Sequence, residues 1–237
     1  MCGRFSQYSP VTTLQKVFDI QTVTCSVIPS YNVAPTYKVP AIIFHNGNRL
    51  GQFFWGFVPF WAKENSKTPT IINARAETLE IKPTFREAFK DRRCLILADG
   101  FYEWESKGSH KQPWYFTMVS GEPFAFAGLW ETAKSDDGSV HHSCVIITTA
   151  AHKSMREIHH RMPVILQHGL HEAWLNPATR DPKELKTIIQ DGHVREMNRY
   201  PVSPRMNKVQ NNDPSCIEPT DPNLVRFAHN CGNGMVE

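Results

Sequence analysis

The chain has 237 residues, 41% hydrophobic and 21% charged, with a formal net charge of +3. Such a composition can fill a core, and it excludes a disordered or collagen-like chain. No window offers the ~18 consecutive apolar residues of a membrane-spanning helix, and the first twenty residues lack the apolar core of a signal peptide, so an intracellular protein is expected. The first predicted element is a helix over 12–20, where Leu14, Val17 and Phe18 share a face. Apolar or alternating runs at 41–44 and 52–57 predict strands. A second helix, over 84–92, gathers Phe85, Ala88 and Phe89, and further strands follow at 94–98, 114–119, 124–129, 144–149 and 164–166. The last helix follows Asp181. Pro182 suits its first position, Glu184 adds an N-terminal acid, Leu185, Ile188 and Ile189 form its stripe, and Gly192 ends it. Strands at close intervals with interspersed helices predict an α+β fold, a single domain dominated by antiparallel, barrel-like sheet with flanking helices. Nothing divides the chain before the polar, aperiodic stretch 221–237, so one domain over 1–220 and a loosely ordered tail are expected.

The small net charge neither demands nor excludes a nucleic-acid partner. Six cysteines are irregularly spaced, with no CxxC, which removes support for zinc ribbons and thioredoxin-type sites. Cys94 and Cys144 sit in apolar runs and read as buried small hydrophobes. Phosphate-loop, dinucleotide-binding, HExxH and zinc-deaminase patterns are missing. His168 and His171 lie three apart without an obvious third ligand, and His141–His142 read as a solvated hairpin feature. Neither a metal nor a cofactor is expected.

Cys2 stands apart from the other cysteines. Removal of an initiator Met would leave it with a free α-amine and a thiol on adjacent carbons. That amine, with an ordinary pKa of ~7.7–8.0, has a substantial unprotonated, nucleophilic fraction near neutrality, unlike a lysine at ~10.4. It can condense with an aldehyde, and the adjacent thiol can then close a five-membered thiazolidine at high effective molarity. A retained Met1 would make the nitrogen an amide and block this chemistry. Three further segments carry reactive side chains. Asn73 lies in TIINARAE (70–77), Glu103 between aromatics in DGFYEW (99–104), and His159 beside an arginine in IHHRMP (158–163). A carboxyl against aromatic surface is a candidate for a raised pKa and general acid–base work. Singly, each has a plain structural explanation: a turn asparagine, a partner for a surface lysine, a loop histidine.

In order, MCGRF at the start, YNVAPT at 31–36, WGFVPFWA at 55–62, NARAE at 73–77, GFYEW at 100–104 and H-x-RMP at 159–163 resemble the SRAP family. This is the SOS response-associated peptidase domain, now regarded as abasic-site processing proteins. VSPRMNKVQNNDPSCIEP at 202–219 resembles the family's closing segment, so the likeness spans about residues 2–220. It implies that Cys2 traps the ring-opened aldehyde of an abasic site in single-stranded DNA as a thiazolidine crosslink. Asn73 would position the terminal Cys or the opened sugar. Glu103 would serve as general acid and base, and His159 would move protons around the Schiff base. Arg4, Arg75 and Arg161 match arginines that hold flanking phosphates, a task suited to guanidinium forks. Trp104 would pack against a nucleotide, and Trp61 and Pro35 are weaker candidates for shaping the DNA path. Lys82, Arg86, Lys90, Arg92 and Arg93 either extend the basic surface or form a solvated helix face.

The expected function is therefore sensing of abasic sites in single-stranded DNA with covalent crosslinking through Cys2. An abasic-site lyase side activity, crosslink reversal and peptidase-like self-processing accompany it. The expected partner is single-stranded DNA containing abasic sites, with no membrane, and the protein is read as a monomer, cytoplasmic and nucleoid-associated if bacterial. Two alternatives stand beside this: an N-terminal-nucleophile cysteine peptidase or hydrolase, and a non-catalytic single-stranded DNA binding module with salt-sensitive affinity.

Overall fold

A computed structural model describes residues 2–59, 61, 70–134, 140–194 and 196–221. The N-terminal part runs β1 (Phe5–Gln7), α1 (Val11–Phe18), β2 (Thr22–Val23), β3 (Ser30–Val33), β4 (Lys38–Phe44) and β5 (Asn48–Trp55). The middle holds β6 (Asn73–Arg75), α2 (Pro83–Asp91), β7 (Arg93–Ala98), β8 (Gly100–Lys107), β9 (His110–Met118), β10 (Phe124–Lys134) and β11 (Val140–Ala150). Then come α3 (Lys153–Arg156), β12 (Arg161–Pro163), α4 (His171–Leu175), α5 (Pro182–Asp191) and β13 (Met197–Pro201). The architecture is α+β and mainly antiparallel, as the sequence predicts.

Five strands close into a ring. β11, β10, β7, β4 and β5 pair successively in antiparallel fashion, and β5 returns to β11 through the parallel pairs Ser143–Phe54 and Cys144–Trp55. A second sheet, in the order β13-β9-β8-β1-β3, is antiparallel throughout. β7 shows why its sequence is a continuous apolar run: Cys94, Ile96 and Ala98 face the layer between the sheets, while Leu95 and Leu97 face the helices. In the inter-sheet layer, Phe5 meets Trp55 and Phe126 at ring separations of 5.0 and 5.6 Å. Leu14 and Phe18 of α1, Phe85 and Phe89 of α2, Trp174 of α4 and Leu185 of α5 cover the other side.

Helix boundaries follow from local chemistry. Asp181 caps α5 by accepting from Lys183 N at 2.9 Å, Pro182 opens it, and Gly192 stands at its end. Arg93, 4% exposed, closes two other helices. Its guanidinium donates to Phe89 O and Lys90 O of α2, and to Trp174 O and Asn176 O at the end of α4. Arg93 therefore belongs to the interior and not to a basic surface, while Arg92 pairs with Glu131 and Arg86 with Glu87. Residues 164–166, expected as a strand, instead follow β12 and make isolated bridges, Phe126–Ile165 and Leu166–His193. β1, β3, β6, β8 and β13 were not anticipated, because they are short or mix polar side chains into the apolar alternation. His141 and His142 are exposed in the β10–β11 hairpin, as expected, and Cys94 and Cys144 are fully buried. The expected tail lies, from residue 222, outside the described residues, as does Met1. Among the described residues no helix is long and apolar enough to cross a membrane.

Candidate active site

The site forms where the start of the chain enters the second sheet. Phe5 pairs with Phe101, and Tyr102 N donates to Arg4 O at 3.0 Å, so the residues before Arg4 run on beside Glu103 of β8. Cys2 is wholly buried in the inter-sheet layer. Asn73 begins β6, which lies parallel to β11 with Asn73 opposite Ile146. Its Nδ2 donates to Cys2 O at 2.9 Å, tying two segments 71 residues apart. The Asn73 Oδ1 is buried and has no hydrogen-bond partner among the described residues. A buried acceptor left in that state is costly in a merely structural asparagine.

Glu103 is 2% exposed, in line between Tyr102 and Trp104 on β8 and opposite Trp114 on β9. Burial pushes its carboxyl from 4.5 up to about 7, so protonated and ionised forms coexist near neutrality. Burial first, and the Glu103 charge second, push the Cys2 thiol well above its ordinary range, which keeps it protonated in this state. His159 follows α3. Its Nδ1 lies 3.0 Å from both the amide nitrogen and the carbonyl oxygen of Arg161. The neutral ring accepts from the amide and the protonated ring donates to the carbonyl, so the imidazole is held in either charge state. Its ring stacks on His160 at 4.4 Å, and burial lowers its pKa.

Glu103, Trp104, Arg156, His159, His160 and Asn207 line one groove of roughly 770 Å³. The carboxyl and the imidazole therefore face a common space. Asn207 accepts from the Trp104 indole Nε1 at 2.8 Å and fixes the edge of that ring.

The arginines fare differently. Arg161 is held bidentately by Glu77, at 2.6 and 3.0 Å, and donates to Thr148 O at 2.7 Å. Arg4 is half-buried and donates to Asn32 Oδ1 at 2.7 Å and to Met206 O at 3.1 Å, bracing the C-terminal segment. Arg75 is exposed on β6 beside the site. Pro35 sits in the turn after β3, and Trp61 is 56% exposed; neither lines the groove. Arg156 and Asn207 escaped sequence reasoning. The only signals were a basic residue three before His159 and an asparagine inside the closing segment. Among the described residues no three His, Cys, Asp or Glu side chains gather as a metal ion requires. His168 and His171 each turn Nε2 to a backbone carbonyl, Val17 O and Leu166 O.

Such an arrangement can transfer protons between a near-neutral carboxyl, an anchored imidazole and a group bound in the groove, next to a buried thiol. Comparison with known proteins bears on what that group is. Residues 1–209 match the family described as SOS response associated peptidase (SRAP). The chain is 41% identical over 222 residues to the abasic site processing protein YoqW of Bacillus subtilis, covering 92% of this chain and 99% of the relative. To the abasic site processing protein YedK of Escherichia coli it is 30% identical over 228 residues, covering 92% and 100%. A crystal structure of a protein from Bacteroides thetaiotaomicron superposes with a TM-score of 0.70 at 28% identity, covering 90% of this chain and 91% of that one.

Proposed function

Since the chain belongs to the SRAP family, we propose that it processes abasic sites in single-stranded DNA by forming a covalent thiazolidine crosslink through Cys2. Removal of Met1 frees the Cys2 amine. Glu103, protonated, gives its proton to the ring oxygen of the deoxyribose as the bond from that oxygen to the anomeric carbon breaks, and the anomeric hydroxyl loses its proton to water, leaving the aldehyde. The amine adds to the aldehyde carbon, and loss of water leaves an imine. The sulfur then bonds to the imine carbon while the thiol proton passes to the imine nitrogen, which closes the five-membered ring. This closure consumes a thiol and needs no resting thiolate, in keeping with a buried, protonated Cys2. Glu103 and His159 can return protons in crosslink reversal. From an uncyclised imine, either can abstract the proton that leads to strand cleavage.

The single observation that carries the reading is that Glu103 and His159 line one groove, while Cys2, buried outside its lining, is near enough for the Glu103 charge to raise its thiol. A buried carboxyl titrating near 7 and an anchored imidazole stand beside a cysteine whose carbonyl is held by Asn73. Asn73 Oδ1, buried and unpartnered, is suited to accept from the amine that processing would expose. Arg75 and Arg161 would meet flanking phosphates and Trp104 a base, with Arg161 still held by Glu77. Arg4 acts by bracing the closing segment, and Trp61 and Pro35 would guide the strand further out. In this reading the unit is residues 1–220, working as an intracellular monomer without a cofactor. The peptidase alternative requires an activated thiolate, and the burial of Cys2 runs against it. The test is a denaturing gel and intact mass after incubation with abasic single-stranded DNA. A heat-stable adduct with Met1-processed wild type, lost in Cys2→Ala, is expected. An adduct that persists in Cys2→Ala, or none in the processed wild type, refutes the reading.

A further inference from the structure

A second cavity, of roughly 600 Å³, adjoins the groove through α3. Arg156 lines both spaces, whereas Lys153, at the start of the same short helix, lines only the second. The remaining wall includes Thr149 of β11, Glu77 after β6, Lys186 and Gln190 of α5, and the imidazoles of His152 and His193. Its charges do not cancel. Glu77 is already engaged by Arg161, and Lys186 by Glu80 outside the cavity. Lys153 and Arg156 are both exposed, and no carboxylate among the described residues pairs with either. Arg156 is nevertheless oriented, since its Nη2 donates to Ala151 O at 3.3 Å. Two excess cations, with Thr149 and Gln190 as neutral hydrogen-bonding groups, make a cavity suited to a phosphodiester.

The geometry points to a phosphodiester subsite in this cavity. It takes the backbone of the same DNA strand, several nucleotides from the lesion, with Arg156 at the junction of the two spaces. This rests on the proposed function, in that the strand must first enter the Glu103–His159 groove. Each phosphate contact on single-stranded nucleic acid contributes about 0.7 to the log–log salt slope, or about fivefold in affinity at 0.1 M salt.

The experiment measures fluorescence-anisotropy affinities for intact oligonucleotides and adduct yields for abasic ones. The flank is lengthened one nucleotide at a time, on the 5′ side and then on the 3′ side. Wild type should gain affinity stepwise on one side only. The Lys153→Ala/Arg156→Ala double variant should lose about 25-fold for the long strand, with a salt slope lower by about 1.4. The shortest strand, which cannot reach Lys153, should lose no more than Arg156→Ala alone costs. Lys183→Ala, an exposed charge on α5 outside the cavity, controls for net charge. A wild type without length dependence, or a Lys183→Ala loss equal to that of Lys153→Ala, overturns the subsite. If the length dependence follows Lys153 and Arg156 yet no adduct forms with abasic DNA, the subsite stands and the crosslinking reading falls.

Discussion

Glu103→Gln separates the cost of the proposed acid from its use. The carboxyl is 2% exposed, and burial raises its pKa from 4.5 to about 7. At ~1.36 kcal/mol per unit this corresponds to about 3 kcal/mol. Below pH 4.5 the group is protonated in both folded and unfolded chains, and its burial carries no charge penalty. Between 4.5 and 7 the unfolded chain releases the proton while the folded one keeps it, so stability falls as pH rises through that window. Above 7 the loss is complete. Glutamine keeps the shape and never ionises. The variant should therefore match wild type near pH 4.5 and exceed it by about 3 kcal/mol at pH 8. At ~2–4 °C per kcal/mol for a domain of this size, that is roughly 6–12 °C in Tm. Thermal unfolding at half-unit pH intervals measures it, and the same samples should form adduct more slowly at every pH. Wild-type and variant Tm curves that run parallel from pH 4.5 to 8 would refute the assignment of a buried, near-neutral carboxyl.

Three other outcomes are expected. Arg93→Met strips the donor from four carbonyls at the ends of α2 and α4 and should cost about 3–5 kcal/mol in urea unfolding; a loss under about 1 kcal/mol contradicts the double-capping role. His171 is buried, and burial lowers its pKa from 6.5 to about 4. The unfolded chain protonates first, so stability falls as pH drops from 6.5 towards 4, by up to about 3 kcal/mol; His171→Gln should flatten that acid limb, and an unchanged slope sinks the argument. Asn207→Ala frees the Trp104 indole and should weaken single-stranded DNA binding by about 2- to 10-fold, the range of one net hydrogen bond; unaltered anisotropy titrations would show that the ring needs no such anchor.

What was legible in the sequence depended on how local its cause was. The α5 helix could be read because Asp181, Pro182 and Gly192 set its limits within the segment itself. β7 and β10 could be read because burial on both faces leaves almost uninterrupted apolar runs. β1 and β6 could not, since three-residue strands such as Phe5–Gln7 and Asn73–Arg75 owe their form to partners far along the chain. At the candidate site, the ordered motifs and their resemblance to one family singled out Cys2, Asn73, Glu103 and His159, and the aromatic neighbours of Glu103 pointed to its raised pKa. The Glu77–Arg161 pair, the Asn207–Trp104 contact and the reach of Arg156 arise only when segments meet in three dimensions.

The seat of Cys2 has a consequence in time. Its carbonyl is held by residue 73 and its flank by β8, and the groove that Glu103 lines is completed by residue 159. At ~5–20 residues per second of synthesis, roughly 8–30 s separate the making of Cys2 from that of His159. During that interval the nascent terminus is an ordinary, accessible peptide end with an ordinary thiol. In the proposed reading, trimming of the terminus belongs to those seconds, and the groove assembles only after them. A chain stalled or truncated before β12 would carry the thiol without the groove that Glu103 and His159 line.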